Sequence, residues 1–339
     1  MSDELIPVTF LVGFLGSGKT TLLNRLLTQP GGEPIAVVVN EFGDAGIDGS
    51  LVVGGGEELI ELDGGCICCT VRGDLSRTLR DLAARRRRRL GRRLKFERVV
   101  IEASGLASPG PAVQTLVLDG ELAERYRVDG VVAMASLPLI TDQLARFSEA
   151  SEQLAYADLV IETHGDRVGA DGQAAAKAAI SKVSPGAGRA QAIRGDIDAQ
   201  QVFGLNPGPE ALAERIEALA QAGHGEAHEH DHAPGVACES VAHDSGMSSV
   251  SLRTSGSLRR EALEIWLRFL GQSRRAEVLR IKGIMALAGE AQAWSVQGVH
   301  QWLELSPLER SAPSDSVLVI IGRNLNRGEL ERAWAKLQS

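Results

Sequence analysis

Residues 13–20 of the chain, GFLGSGKT, combine residue types and a spacing that can bind phosphate. They match the pattern G-x-x-x-x-G-K-[ST], in which glycines let the backbone curl until its N–H groups face phosphate oxygens. An apolar run precedes them and the helical pattern TTLLNRLLTQ follows, so a helix N-terminus would add its positive end. The alternative is a glycine-rich turn that matches by chance. The pattern predicts a nucleotide site formed by Gly13, Gly16, Ser17, Gly18, Lys19, Thr20 and Thr21.

The same pattern assigns roles to individual side chains. Lys19 is expected to reach the β- and γ-phosphates, and the Thr20 hydroxyl is expected to ligate Mg²⁺. A nucleoside triphosphatase also needs a group near the metal and the attacking water. Glu102 ends the apolar run RVVIE, and open α/β sheets collect ligands at the carboxyl ends of their strands. Glu102 is therefore a catalytic candidate, with the small Gly105 allowing close approach to the γ-phosphate; the alternative is a strand-end acid that faces solvent.

The stretch GGCICC, residues 64–69, holds three of the four cysteines of the chain: Cys66, Cys68 and Cys69. Thiolates are soft ligands that suit zinc, copper(I) or cobalt-like ions. Three ligands leave a fourth position open, which favours a site that accepts and surrenders metal over a closed structural site. The alternative is redox chemistry, because Cys66 and Cys69 have C-x-x-C spacing, although no thioredoxin-like unit surrounds them.

Composition excludes several classes of partner. The chain has 339 residues, is 44% hydrophobic and 24% charged, and carries a formal net charge of −8. This mild acidity gives no basic field for nucleic acid or an anionic membrane surface. No run approaches the roughly 18 apolar residues of a spanning helix, and the start MSDELIPVTFLV lacks a basic leader. We predict a cytoplasmic protein with no nucleic-acid or membrane partner, in which thiols stay reduced.

Strand-like and helix-like patterns alternate along the first two thirds of the chain. Crossover helices between strands imply a mostly parallel sheet covered on both faces. The fold prediction is a doubly wound α/β P-loop domain at residues 1–222, a histidine-rich flexible linker at 223–245 and a smaller α+β domain at 246–339. The strand runs of the first domain are 8–13, 35–40, 98–102, 130–135, 158–162 and 190–194; those of the second are 248–254, 278–287, 293–299 and 316–322, with helices at 259–271 and 328–337.

The predicted linker contains five of the seven histidines. Weaker metal candidates are His224, His228, His230 and His232, with His243, Cys238 and several acids nearby. They favour a loose store for a borderline metal such as zinc, nickel or cobalt. The alternative is a polar linker with no ligand. The basic run RRRRRLGRR, residues 85–93, is interpreted as a solvated helix end rather than a docking patch for an acidic partner.

Four motifs occur in a specific order: GFLGSGKTTLLNRLL, NEFGDAGID (40–48), GGCICC and VVIEASGLASP (99–109). Together they resemble the CobW family of P-loop GTPases, whose members act in metal insertion and metal homeostasis. The histidine-rich linker and the C-terminal part extend the similarity over nearly the whole chain. The resemblance implies a GTP-dependent metallochaperone in which the three cysteines carry zinc or cobalt for an unidentified client metalloprotein.

The resemblance also assigns a role to the NEFGDAGID segment, which would act as a switch between the phosphate and metal sites. Glu41 and Asp44 become catalytic candidates, and with Asp48 they are candidates for contacts with Mg²⁺, water or the carried metal. The alternative for each is a solvated acid in a glycine-containing loop. Nucleotide state would then reposition the thiolates, as γ-phosphate contacts order loops in other GTPases.

The chain departs from the family pattern in two places. Family members usually read guanine with N-K-x-D, but after DLVIE this chain has Thr163, His164, Gly165 and Asp166. Asp166 keeps the carboxylate that would accept hydrogen bonds from guanine N1 and N2, while Asn and Lys are absent. The run VVAMAS likewise lacks the aspartate of the V-D-A triplet with which the family tends to end that strand. GTP is the expected nucleotide, and ATP stays possible.

The sequence therefore predicts a Mg²⁺-dependent nucleoside triphosphatase that gates a thiolate metal site. Two other classes of protein remain open. One is a non-hydrolysing metal-binding module that buffers or senses zinc, and the other is an ATP-using activator of one metalloenzyme.

Overall fold

The computed structural model describes residues 5–28, 33–40, 59–61, 67–71, 75–86, 94–205, 246–274, 277–299 and 302–338. These residues form two compact units. The first comprises the described residues within Met1–Thr141, Glu152–Ile180 and Ala187–Asn206; the second comprises those within Asp142–Ser151, Ser181–Gly186 and Pro207–Ser339. The predicted linker at 223–245 lies outside the described residues, so its borders stay a prediction.

An eight-stranded sheet forms the centre of the first unit. In spatial order it runs β3-β4-β2-β5-β1-β6-β7-β8, and every neighbouring pair is parallel except β3 with β4. The strands are β1 Ile6–Gly13, β2 Ile35–Asn40, β3 Leu59–Glu61, β4 Ile67–Val71, β5 Arg98–Ala103, β6 Tyr126–Ser136, β7 Leu159–Thr163 and β8 Gly188–Ala192. The predicted doubly wound, mostly parallel architecture is confirmed.

Helices connect the parallel strands, as crossover connections require. They are α1 Lys19–Thr28, α2 Leu75–Arg86, α3 Gly110–Leu118, α4 Gly120–Ala123, α5 Ile140–Arg146, α6 Ser148–Ala155, α7 Ala170–Val183 and α8 Ala199–Val202. Helix α1 buries Leu22, Leu23 and Leu26 in a core that includes Leu11 of β1 and Val132 of β6. Burial of this apolar face fixes α1 against the centre of the sheet.

The sequence patterns missed two strands of this sheet and misplaced a third. The run ICCTV inside the cysteine cluster forms β4, which pairs with the three-residue β3 and, in parallel, with β2. A short run that contains cysteines has only a weak sequence preference for a strand. Strand β4 forms because it pairs with a buried, β-branched neighbour, which is a tertiary effect. The last strand, predicted at 190–194, occupies 188–192 as β8.

A buried carboxylate connects neighbouring strands of the sheet at a β-bulge. The pairing of β1 with β6 skips Asp129, since Val8 lies opposite Val128 and Thr9 opposite Gly130. Asp129 is 1% exposed. Its Oδ2 accepts hydrogen bonds from Thr9 Oγ1 at 3.1 Å, Arg98 Nη1 at 3.3 Å and the Gly204 backbone N–H at 2.9 Å. The Asp129 carboxylate thus links β6 by hydrogen bonds to β1, to β5 and to the segment that follows α8.

An antiparallel five-stranded sheet forms the second unit, in the order β12-β11-β10-β13-β9. Helices α9 and α10 share one core with it, which holds the buried Trp294 and Trp334 and the partly buried Trp266. The elements are β9 Met247–Ser255, α9 Arg260–Ser273, β10 Val278–Ala286, β11 Gln292–Val299, β12 Trp302–Ser311, β13 Asp315–Arg323 and α10 Arg327–Ala335.

Strand β12 was not predicted, because Pro307 interrupts its sequence and proline cannot donate to a ladder. The strand lies at the edge of its sheet, where a missing N–H is tolerated.

Within the part of the chain that the structure describes, no helix combines the length and apolar content needed to cross a membrane.

Replacing Asp129 by alanine should lower the free energy of unfolding of the first unit by about 2 to 4 kcal/mol, because Arg98 and two further donors lose a buried acceptor. Far-UV circular dichroism during urea unfolding measures the loss. All four tryptophans lie beyond residue 246, so their fluorescence follows the second unit separately. Asp81→Ala, which removes a partly exposed partner of Arg85 in the first unit, is the control and should cost under about 0.5 kcal/mol. Equal losses in both variants would contradict the role of the bulge.

Candidate functional site

The backbone between β1 and α1 curls tightly, and the residue at the start of this curl can only be glycine. Gly13, Gly16 and Gly18 have φ values of 148°, 75° and 96°. A Cβ at Gly13 would lie 2.7 Å from Met134 O on β6 and 2.7 Å from Ser17 Oγ. These distances are too short for any side chain. The loop therefore packs directly on the neighbouring strand, and the start of α1 is held at the carboxyl edge of the sheet.

Two polar groups of this curl have the character of a ligand site. Lys19 Nζ donates a hydrogen bond to Gly13 O at 2.7 Å, so the ammonium group lies over the loop. Ser17 is 1% exposed, and its Oγ has no hydrogen-bond partner among the described residues. A buried hydroxyl without a partner costs free energy unless a ligand or water satisfies it. Together with the N-terminus of α1, this arrangement fits an anionic phosphate group.

Glu102 lies beside this loop on β5, which pairs directly with β1. The side chain is 9% exposed, and Thr20 Oγ1 donates to its Oε1 at 3.4 Å. Burial raises the pKa of the Glu102 carboxyl above its ordinary value, while the charge of Lys19 and the Thr20 hydrogen bond offset part of this. A hydroxyl and a carboxylate are the hard oxygen ligands that Mg²⁺ prefers. The predicted convergence of Lys19, Thr20 and Glu102 is present in the structure.

The turn after β5 is braced from two directions. A Cβ at Gly105 would lie 2.5 Å from Leu15 Cδ2 and 3.0 Å from Leu15 N, so this glycine allows the turn to pack on the phosphate-binding loop. Gln153 Nε2, on α6, donates to Gly105 O and Ala107 O, each at 3.0 Å. Gln153 was not predicted from the sequence as a site residue. It lies 48 residues from Gly105, and a lone glutamine in a helical pattern gives no signal of such a contact.

Thr163 braces the opposite flank of the loop from the end of β7. Its buried Oγ1 donates to Ser17 O at 2.9 Å and approaches Ala135 O at 3.3 Å. His164 follows with a left-handed backbone, φ 56° and ψ 27°, and begins the 3-10 turn Gly165–Arg167. Gln173 Nε2, on α7, donates to Gly165 O at 2.9 Å. The turn carries the exposed Asp166, so the base-recognition candidate lies on the β7 side of the loop and Glu102 on the β5 side.

The predicted metal ligands are placed only in part. Cys68 and Cys69 are backbone positions of β4, in register with Val37 and Val38 of β2. Among the described residues, no three His, Cys, Asp or Glu side chains converge to hold a metal ion. The predicted residues that lie outside the described ranges are Cys66, Glu41, Asp44, Asp48, His224, His228, His230 and His232. Their roles stay predictions, as do those of Asp166 and of Thr21, which is exposed on α1.

Two family models match consecutive parts of the chain. The model described as CobW/HypB/UreG, nucleotide-binding domain, matches residues 7–190. The model described as cobalamin synthesis protein cobW C-terminal domain matches residues 247–338.

Proteins from three organisms are similar to nearly the whole chain. The zinc chaperone YjiA of Escherichia coli is 31% identical over 98% of this chain and 99% of its own length. The zinc chaperone CobW of Pseudomonas aeruginosa is 32% identical over 96% of this chain and 89% of its own length. The zinc-regulated GTPase metalloprotein activator 1 of Schizosaccharomyces pombe is 28% identical over 95% of this chain and 83% of its own length.

Two crystal structures of YjiA are similar in fold to the present structure. The Zn(II)-bound YjiA GTPase from Escherichia coli has a TM-score of 0.74 at 27% identity, covering 99% of this chain and 100% of that one. A Zn(II)-bound YjiA triple mutant, in which one glutamate and two adjacent cysteines are replaced by alanine, has a TM-score of 0.75 at 26% identity with the same coverage.

The raised pKa of Glu102 predicts a pH-dependent gain in stability for Glu102→Gln without nucleotide. The folded parent holds the Glu102 proton more tightly than the unfolded chain does. Folding therefore loses this contribution as the pH rises from the ordinary value of 4.5 through the folded-state pKa. A glutamine at position 102 does not titrate. The difference in unfolding midpoint between Glu102→Gln and the parent should therefore grow over this pH range and then level off. Thermal unfolding of both proteins from pH 4 to pH 8 measures it.

The same exchange at the exposed Glu124 is the control for changes in net charge. A difference between Glu102→Gln and the parent that is constant at every pH would contradict a raised pKa.

Proposed function

The chain belongs to the CobW/HypB/UreG family of P-loop proteins, and from that premise we propose that it hydrolyses GTP to gate the delivery of zinc to a client protein. The observation that carries the proposal is the convergence of Lys19, Thr20 and Glu102 on the glycine curl at the carboxyl edge of the sheet. Relatives that are named zinc chaperones and a GTPase metalloprotein activator support the carried metal and the use of a client. We place the activity in the cytoplasm, and cobalt is the second candidate for the metal.

The chain's own groups can bind and orient a triphosphate. Backbone N–H groups of the curl and of the α1 N-terminus would donate to phosphate oxygens, and Lys19 can exchange its bond to Gly13 O for one to a phosphate. Thr20 and Glu102 are the residues that would hold Mg²⁺, which when bound neutralises charge on the phosphate oxygens. The Glu102 carboxylate can also accept a hydrogen bond from water beside the γ-phosphate. Since Glu102 is 9% exposed, bulk water competes little for that bond.

The order of strands supports a short route from the nucleotide to the cysteines. Strand β2 lies between β5 and β4, and Val39 of β2 is in register with Glu102 on one side and Thr70 on the other. Two strand spacings separate the backbones of Glu102 and Thr70 by about 10 Å, and Thr70 follows Cys69 directly. Strand β2 ends at Asn40, where the predicted switch segment begins. A change at the γ-phosphate that moves this segment would therefore act beside the strand that carries the cysteines.

Zinc can also bind elsewhere in proteins of this type. The YjiA triple mutant is described as Zn(II)-bound although two of its cysteines are replaced. A test of the cysteine site in this chain must therefore exclude the linker histidines. The suitable background is a variant that lacks residues 223–245, which should lose weakly bound ions and keep the tight site.

One further function is favoured by a specific observation. Thr163 and His164 stand where family members usually carry Asn and Lys, so an activator of a metalloenzyme that uses ATP as readily as GTP is the second candidate. Competition between the two nucleotides for one site separates the candidates.

Lys19→Ala should abolish triphosphate binding, because a bound phosphate loses its charged partner. The fold should survive, since Lys19 is half-buried at the first position of α1 and contributes little packing. Isothermal titration with GTP and with ATP measures binding, and circular dichroism checks the fold. Lys182→Ala, at an exposed position of α7, is the matched control. A variant that binds either nucleotide as tightly as the parent would rule out the proposed phosphate site.

Zinc affinity should depend on the nucleotide if the cysteine site and the phosphate site are coupled. Coupling free energies of about 1 to 3 kcal/mol correspond to 5- to 150-fold changes in affinity, and the change must be reciprocal. Zinc titrations of the linker-deleted chain with a non-hydrolysable triphosphate, with GDP and without nucleotide measure it. Replacing Cys66, Cys68 and Cys69 by serine should remove the tight site and the coupling together, because hydroxyls bind borderline metals poorly.

Equal zinc affinity in all three nucleotide states would leave two independent sites and contradict gating. If the triple serine variant kept the tight site, the metal assignment would be wrong while the coupling could still hold. Cys238→Ser changes the fourth cysteine and is the matched control in the full-length chain.

A further inference from the structure

The two departures from the family's sequence pattern touch each other in the structure. Ser136, the last residue of β6, occupies the strand end where the family tends to place an aspartate. His164 occupies the lysine position of the N-K-x-D pattern. The Ser136 Oγ lies 3.0 Å from His164 Nδ1. Ser136 is 1% exposed and His164 is half-buried, so the serine end of this contact is shielded from water. The two positions at which the chain departs from the family pattern are thus joined by one serine–histidine hydrogen bond.

The hydroxyl of Thr163 also lies close to the His164 ring. Thr163 Oγ1 lies 3.3 Å from His164 Nδ1, but its single proton is directed at the Ser17 carbonyl oxygen, 2.9 Å away. Towards the imidazole, this oxygen can therefore only accept. A ring that carries its proton on Nδ1 would donate towards the oxygens of Ser136 and Thr163. The two hydroxyls orient the imidazole ring and with it the left-handed turn at His164.

The pair lies on the side of the phosphate-binding loop opposite to Glu102. Strand β1 has β5 on one side and β6 followed by β7 on the other. Glu102 and Thr20 mark the β5 side as the metal side. A triphosphate that crosses the α1 N-terminus with its metal-binding end at Glu102 directs its nucleoside towards β6 and β7. Ser136 and His164 are the end of β6 and the residue after β7, and the turn that follows carries Asp166.

We propose that Ser136 and His164 act as one hydrogen-bonded pair that sets how strongly the site distinguishes guanine from adenine. Both are positioning residues, which act by fixing the turn that presents the Asp166 carboxylate to the base. Gln173 holds the same turn from α7 through Gly165 O and Val168 O, so the pair controls the side that faces the loop. This inference rests on the proposed nucleotide function and concerns the selectivity of the same site.

A double-mutant cycle on the full chain tests the pair. Asparagine tolerates the left-handed conformation of residue 164, so His164→Asn removes the ring without straining the backbone, and Ser136→Ala removes its partner. Dissociation constants for GTP, ATP and inorganic tripolyphosphate are measured with Mg²⁺. Each single change should lower the ratio of ATP to GTP dissociation constants about 3- to 10-fold, the effect of one hydrogen bond. The double variant should lose no more than either single one, and tripolyphosphate binding should be unchanged.

Placing the residue types that the family usually carries at both positions gives a second test. Ser136→Asp combined with His164→Lys should raise the selectivity for GTP above that of the parent. Asn324→His, at a left-handed position of the second unit with φ 51°, is the control and should leave all three dissociation constants unchanged.

Four results would overturn the proposal. Additive effects of the single changes would mean that the residues act separately. Equal weakening of GTP, ATP and tripolyphosphate would mean that the pair supports the phosphate loop rather than base selection. If the parent bound no triphosphate, the proposed function would fail and this inference with it. If the parent hydrolysed GTP but the variants kept its selectivity for GTP over ATP, only this inference would fail.

Discussion

The position of every group in the nucleotide site depends on the close approach of Gly13 to β6. A Cβ at this residue would lie 2.7 Å from a carbonyl oxygen of β6 and 2.7 Å from Ser17 Oγ, so the backbone can curl here only without a side chain. The curl places the Ser17 carbonyl against Thr163 on one flank. On the other flank the curl sets the position at which α1 begins, so that the Thr20 hydroxyl donates a hydrogen bond to the Glu102 carboxylate. Polar groups on both flanks of the loop are therefore fixed by one backbone constraint.

Local electrostatics, rather than the field of the whole protein, must attract the nucleotide. The chain carries a formal net charge of −8, which repels a triphosphate at long range. Against this act the α1 N-terminus, whose partial positive charge extends over its first turn, and Lys19. Glu102 adds a carboxylate at the same place, and its burial makes the charged form costly. A bound divalent cation beside Glu102 would remove that cost, which links metal binding to the charge state of the site.

Strong local patterns made much of the fold predictable. The apolar runs that became β1, β2, β5, β6 and β7 were recognised because a parallel sheet buries both faces of its central strands. Residues whose structure depends on distant partners were missed. Strand β4 forms through its pairing with β2. Gln153 reaches the turn after β5 from 48 residues away, and Thr163 was noted only as a missing asparagine. The convergence of Lys19, Thr20 and Glu102 was predictable, because strand order places the ends of β1 and β5 side by side.

The central claim is that hydrolysis at the Glu102 edge releases zinc from the cysteine strand. A single-turnover experiment tests it most directly. The linker-deleted chain is loaded with zinc and GTP, Mg²⁺ is added, and phosphate release and zinc transfer to a chromophoric chelator are followed together. We expect one rate constant for both signals, and we expect Glu102→Gln to slow both by the same factor. Zinc transfer that proceeds at an unchanged rate while phosphate release is slowed would contradict gating by the nucleotide.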